Sequence, residues 1–178
     1  MIKIIQNDNP VLRKISKEVE ISDIAKTKIQ NLLKDMSEAL HSQDDGVAIA
    51  APQVGESLRI FIVSGKIFDK NFIQCNGLTE NVLSKETNHP DLVFINPTLK
   101  KVSKDKKYME EGCLSVRPIY GKVFRANKAT IEAYDENGKR VIRGASGLLA
   151  QIFQHETDHL KGVLFTDTAK DMHEFLPN

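Results

Sequence analysis

Tryptophan is missing from the 178-residue chain, and cysteine occurs only twice, at Cys75 and Cys113. Two distant cysteines with no Cys-x-x-Cys pair exclude a disulfide-built scaffold. They fit a reducing compartment in which at most one thiol has special work, and Cys75 is expected to have no metal role. No run approaches the ~18 consecutive apolar residues of a membrane span. The opening MIKIIQNDNPVLRK also lacks the apolar stretch and small-residue cleavage site of a secretory leader. Charge of one sign is lacking too: 25 Lys and Arg face 24 Asp and Glu, a net charge of +1. Neither nucleic acid nor a membrane is therefore expected as a partner, and a cytoplasmic location is.

What is present suits one domain, residues 1–178, with a hydrophobic core. In residues 22–41 the apolar side chains Ala25, Ile29, Leu32, Leu33, Met36 and Leu40 share one helical face, with Ser22 or Asp23 available as N-cap. Strand-length apolar runs follow at Leu58–Val63 and Leu92–Ile95, the second expected to stop at Asn96-Pro97. Between them, residues 64–90 are long for a plain connection and read as a lid or surface excursion. The locally basic run Lys100–Lys107 reads as a solvated surface. Ala129–Tyr134 alternates and should pair with Arg140–Ile142 through Glu136-Asn137-Gly138, where Asn-Gly supplies positive φ. His41, His89 and His173 are expected at the surface.

Ser146–Leu160 reads as a helix, with Gly162 just past its end. Leu148, Leu149, Ile152, Phe153 and Leu160 cover more than half its circumference, and Gln151, Gln154, Asp158 and Lys161 form the polar stripe. A helix so apolar is expected at the centre of its domain. Strands without βαβ alternation argue for an α+β fold. Antiparallel sheets would surround the C-terminal helix, with an N-terminal amphipathic helix added.

That central helix carries QHETDHLKG. Positions four apart lie one turn along the same face, so His155 and His159 can aim at one ion while Glu156 projects beside it. This is the HExxH arrangement of metallohydrolases. A catalytic site needs a third protein ligand. Downstream, the position of a metzincin's third histidine is Phe165, and Glu174, Asp167 and Asp171 are the available carboxylates, which disfavours a zincin-type metallopeptidase. Upstream, Cys113 follows Gly112 in EGCLS, and a thiolate suits a borderline divalent metal.

EGCLS, its cysteine 42 residues before the first histidine of QHETDHL, resembles the second and third motifs of the peptide deformylases. GVAIAAPQ, residues 46–53, resembles the first, and NPVLR, FINP and DHLKGVLF add to the likeness. The resemblance implies hydrolysis of the formyl group from the N-terminal N-formylmethionine of newly made polypeptides, releasing formate. It implies Cys113, His155 and His159 as metal ligands and Glu156 as general acid/base. Gln53, through its amide, and Leu114, through its backbone N–H, would hold the developing oxyanion.

The ligand types alone suggest zinc, whereas the resemblance implies ferrous iron, Fe2+; Zn2+, Ni2+ and Co2+ suit the same donors. The partner would be an N-formylmethionyl nascent peptide, with transient ribosome contact as a further expectation. Leu148 and Ile152 share the face of His155 and are candidates for a methionine pocket. By the same resemblance, Val47 and Ala48 would border that pocket and pair with an extended peptide. Ala48 stands where the family has a second glycine, so strain or crowding is expected if that backbone needs positive φ or lies against substrate. This departure and the long 64–90 segment leave room for a paralogue acting on another N-acyl peptide. A non-catalytic protein with a structural metal would leave Glu156 without a task. Arg125 is expected to pair with Glu111 and steady the cysteine loop.

Overall fold

A computed structural model describes residues 3–69, 72 and 89–175. Cys75 and most of the 64–90 segment lie outside the described residues. Among the described residues, eight strands form two antiparallel sheets: β1 (Ala48–Ala50), β2 (Ile60–Val63), β3 (Leu92–Val102), β4 (Lys106–Gly112), β5 (Ile119–Ala126), β6 (Lys128–Tyr134), β7 (Arg140–Ser146) and β8 (Lys170–Glu174). The larger sheet runs β1-β2-β3-β6-β7 and the smaller β4-β5-β8. Among the described residues lie the α-helices α1 (Thr27–His41) and α2 (Gly147–His159). None of the described helices is long and apolar enough to cross a membrane.

The period of two along a strand explains how the larger sheet holds both helices. Ala48, Ala50, Phe61, Val63, Phe94, Ile131 and Ala133 point to the side where Phe153, Ile152 and Leu149 of α2 pack. Ile49, Ile60, Ile62 and Ile95 point to the other side, against Ile29, Leu33, Met36 and Leu40 of α1. With both faces covered, β2 reads as an unbroken apolar run rather than an alternating one. Phe94 and Phe153 meet edge to face at 5.1 Å and Phe61 stacks on Phe94 at 4.8 Å. These contacts fix α2 across the middle of the sheet, as its wide apolar face predicts.

Two boundaries and one turn differ from those expected. Helix α1 begins at Thr27, because Ile21–Asp23 forms a 3-10 turn that drives Ile24 fully into the core. Neither Ser22 nor Asp23 caps it; the N-cap position is Lys26, with no side-chain cap bond. Strand β3 continues through Asn96-Pro97 by way of a bulge, which is where a strand tolerates proline. Asn96 adopts φ 52° there, and its side chain accepts from Val19 N at 2.8 Å and donates to Val19 O at 2.7 Å. The β6–β7 hairpin forms as expected, but its turn has left-handed backbone only at Gly138. Asp135 supplies the rest, its carboxylate accepting from the N–H groups of Asn137 and Lys139, each at 2.9 Å.

Histidines 41 and 173 are exposed, His41 on Asp91 at 2.9 Å. His89 is half-buried, its ring edge-on to Phe68 at 5.7 Å.

Candidate metal centre

The site lies where the two sheets meet. Cys113 follows the last residue of β4, and His155, Glu156 and His159 come from the last two turns of α2. Gly112 lets Tyr120 of β5 close in beside the cysteine, because a Cβ at that position would stand 2.5 Å from its ring. Gly162 ends the helix region with φ +74°, and a Cβ on it would meet the Arg13 carbonyl oxygen at 2.5 Å.

One donor atom from each of Cys113, His155 and His159 lies within 4.8 Å of the others. Cys113 Sγ is 3.2 Å from His159 Nε2, and the two imidazole centroids are 4.9 Å apart. Bonds of about 2.3 Å to sulfur and 2.1 Å to nitrogen place donors on one tetrahedral ion roughly 3.5 Å apart. One soft sulfur and two ring nitrogens at this spacing fit a divalent cation. The downstream carboxylates do not join them: Asp167 pairs with Arg13, Asp171 with Lys122, and Glu174 is exposed on β8.

A buried ionic network orients the first histidine. His155 Nδ1 donates to Glu111 Oε2 at 2.9 Å, which leaves Nε2 to face the sulfur side. Glu111 also accepts from Arg125 Nε at 2.8 Å and Nη2 at 3.0 Å, and Arg125 Nη1 donates to Asp158 at 2.5 Å. The expected Arg125–Glu111 pair is therefore present. Its extension to His155 and Asp158 was not apparent in the sequence, although i, i+3 spacing of His155 and Asp158 was a usable signal. Burial raises the pKa of Glu111, but hydrogen bonds from His155 and Arg125 outweigh it and bring it to about 2. Burial lowers His159 well below its ordinary value, and His155 adds to this, so its imidazole is neutral and fit to bind metal.

Glu156 is 3% exposed. Its Oε2 is buried without a hydrogen-bond partner among the described residues, as is Nδ1 of His159. Burial lifts the Glu156 carboxyl to about 7; His155 and Arg125 pull it down while Glu111 and Asp158 reinforce the rise. A carboxyl poised there exchanges protons near neutrality.

Gln53, in the 3-10 turn Ala51–Val54 after β1, is held by both ends of its amide. Its Oε1 accepts from Ala50 N at 2.8 Å, which turns Nε2 toward Ser115 Oγ at 3.1 Å and Cys113 Sγ at 3.5 Å. That side chain is buried, and the backbone N–H of Leu114 donates no hydrogen bond among the described residues. A cavity of about 140 Å³ touches Gln53, Cys113, Leu114, His155 and Glu156. Val47, Ala48, Leu148 and Ile152 also line it, so all four expected pocket residues meet at the same space. Glu110, Gln151, Tyr120, Asp45 and Arg117 line it as well and were not anticipated as site residues.

The condition for backbone strain at Ala48 is not met: this residue is not left-handed, pairs with Val63 in β1 and packs its methyl on the α2 side of the sheet. Within the polar stripe of α2, Gln154 is buried, accepting from Ala126 N and donating to Ala126 O, both at 2.9 Å. This pair satisfies the end of β5 and ties the smaller sheet to α2.

Comparison with known proteins agrees with this arrangement. The sequence profile described as Polypeptide deformylase matches residues 1–175. Peptide deformylase 2 of Clostridium acetobutylicum is 35% identical over 161 residues, 90% of each chain. Peptide deformylase 1A of Arabidopsis thaliana, chloroplastic/mitochondrial, is 38% identical over 93% of this chain and 60% of that protein. Among solved structures, a probable peptide deformylase from Synechococcus phage S-SSM7 superimposes with a TM-score of 0.78 at 31% identity, covering 94% of this chain and 99% of that one. The chain belongs to the polypeptide deformylase family, whose members are metal-dependent hydrolases that remove the N-terminal formyl group from nascent peptides.

Proposed function

We propose that residues 1–178 form a single catalytic unit that releases formate from N-formylmethionyl nascent peptides, with Cys113, His155 and His159 holding the metal. The observation that carries this reading is the clustering of those three donors beside a cavity that Cys113 and His155 line together with Glu156, whose Oε2 has no hydrogen-bond partner among the described residues. Ferrous iron is the proposed ion; Zn2+, Ni2+ and Co2+ suit the same donors. When bound, a divalent ion would supply Lewis acidity and bring the pKa of a water it holds down toward ~7.

The remaining chemistry belongs to the chain's own groups. Glu156, titrating near neutrality, accepts a proton from the attacking water and passes it to the leaving amine. Gln53 Nε2 and the Leu114 N–H are the donors for the oxygen that becomes negative, each a contribution of about 2.7–4 kcal/mol in comparable sites. Glu111 holds His155 in the tautomer whose Nε2 can bind metal. Leu148 and Ile152 form the wall against which the methionine side chain rests, and Val47 and Ala48 present backbone to an extended peptide.

We place the enzyme in the cytoplasm, where a reducing medium protects the thiolate. A transient ribosome contact extends the same reading; co-sedimentation with ribosomes checks it. The central test is formate release from an N-formylmethionyl tripeptide by iron-loaded protein. Turnover is expected, with a fall of at least ~100-fold in Glu156→Ala. Formate production that is undiminished in the variant removes the assigned base.

A further inference from the structure

Phe165 stands where a metzincin has its third histidine, and it meets the metal centre in another way. Its ring lies 27° from parallel to that of His155, with centroids 6.2 Å apart, inside the range of aromatic pairs. Phe165 is 2% exposed and belongs to a cluster with Leu12, Val123 and Leu164, against which Cys113 also packs. His159 meets the same His155 ring nearly edge-on at 4.9 Å.

These contacts constrain what Glu111 leaves open. A hydrogen bond at Nδ1 fixes one point of the His155 ring, which can still tilt about the line from Nδ1 to the carboxylate. The lone pair of Nε2 lies in the ring plane, so such a tilt turns it away from the space shared with Cys113 and His159. A flat face packed alongside removes that freedom. An aliphatic side chain of similar volume fills the same space but defines no plane.

The Phe165 ring is itself held from the surface. It opens the 3-10 turn Phe165–Asp167, and Asp167 closes that turn by accepting from Leu164 N at 3.0 Å. Both carboxylate oxygens of Asp167 also accept from Arg13, at 2.6 Å from Nη1 and 3.0 Å from Nη2. Arg13 ends the 3-10 turn Pro10–Arg13, whose Leu12 is fully buried in the cluster of Phe165. Just beyond, Ser16 N donates to Leu160 O at 3.0 Å, and the Arg13 carbonyl oxygen lies against Gly162. Residues 10–16 thus form a strap across the C-terminal end of α2, tied to the turn that carries Phe165.

We propose that Phe165 is a positioning residue for the metal centre: its ring sets the plane of His155, and the Arg13–Asp167 pair holds that ring in place. This rests on the reading of Cys113, His155 and His159 as ligands. Losing an aromatic pairing of this kind corresponds to a roughly two- to twelve-fold weaker metal site. Opening the half-exposed Arg13–Asp167 pair corresponds to at most about five-fold.

The experiment titrates Co2+ into metal-free protein, with chelator competition for Kd and visible absorption for the arrangement of the donors. Phe165→Leu is expected to bind Co2+ about two- to twelve-fold more weakly, with displaced ligand-field bands. Phe165→Tyr, which keeps a flat ring, stays near wild type in both. The double variant Arg13→Gln/Asp167→Asn breaks the strap without changing net charge or the core; it should displace the same bands with a smaller loss of affinity. Combined with Phe165→Leu it should lose less than the sum, because both act through one ring. Wild-type affinity and bands in Phe165→Leu, or an equal loss in Phe165→Tyr, overturn the proposal. If Phe165→Leu does not fold, the strap variant decides, and unaltered bands there overturn it. Wild-type protein that binds no Co2+ refutes the metal centre itself, and the proposal with it.

Discussion

Replacing Glu111 by glutamine tests whether the buried network is the support of the metal site. Glu111 accepts four donors: Arg125 twice, His155 and Gln151, the last at 3.4 Å. Its pKa of about 2, against an ordinary 4.5, corresponds to about 3 kcal/mol of stabilisation in the folded state. Breaking a buried pair from one side independently suggests ~3–5 kcal/mol, lessened because Asp158 remains on Arg125. For a chain of this size, ~3 kcal/mol lowers Tm by about 6–12 °C. The sign with pH is fixed by the depressed value: the contribution is complete above about 4.5 and is lost as pH falls through about 2.

Urea unfolding of metal-free wild type and Glu111→Gln from pH 7 down to pH 2.5 measures this, and the gap between them should shrink below pH 4.5. The freed His155 ring should also cost about 10–100-fold in metal affinity. In the cycle with Arg125→Met, the double variant should lose less than the sum of the single ones. A gap below 1 kcal/mol at pH 7, or one that does not narrow in acid, refutes the reasoning.

Three further outcomes are expected. The kcat/KM of the loaded enzyme falls in acid with a midpoint at or below about 7, the range of Glu156, since a nearby cation only lowers a carboxyl further; a pH profile with its midpoint above 8 contradicts the assignment. Gly112→Ala drives a methyl into the Tyr120 ring, so stability drops by about 1–3 kcal/mol and metal content falls with it, as unfolding curves and metal analysis would show. Ala48→Gly leaves deformylation kinetics within about two-fold and costs roughly 0.5–1 kcal/mol of stability, because the alanine already sits in unstrained strand; a large gain in kcat/KM would mean the methyl crowds substrate after all.

The parts legible in the sequence were those fixed by local periodicity. His155 and His159 share a helix face whatever surrounds them, and the apolar residues of α2 announced its central place before any partner was known. The α1 start was misread because Ile24 obeys the core rather than the helix period. The course of β3 past Pro97 depends on Asn96 reaching Val19, 77 positions away, which no window of neighbouring residues contains. Gln154 and Glu111 look like surface polar residues in a linear reading. Only the fold brings them the Ala126 backbone and the Arg125 guanidinium that make their burial tolerable.

Because Cys113 hangs from the smaller sheet and both histidines from the helix that crosses the larger one, an ion seated among them rivets the two layers together. Chelation then acts on more than turnover: it withdraws a cross-link, and RT ln(1 + [L]/Kd) of cohesion leaves with it. Amide exchange should quicken along β4 and β5 while the β2–β3 pair, clasped by hydrophobic side chains on both faces, stays protected.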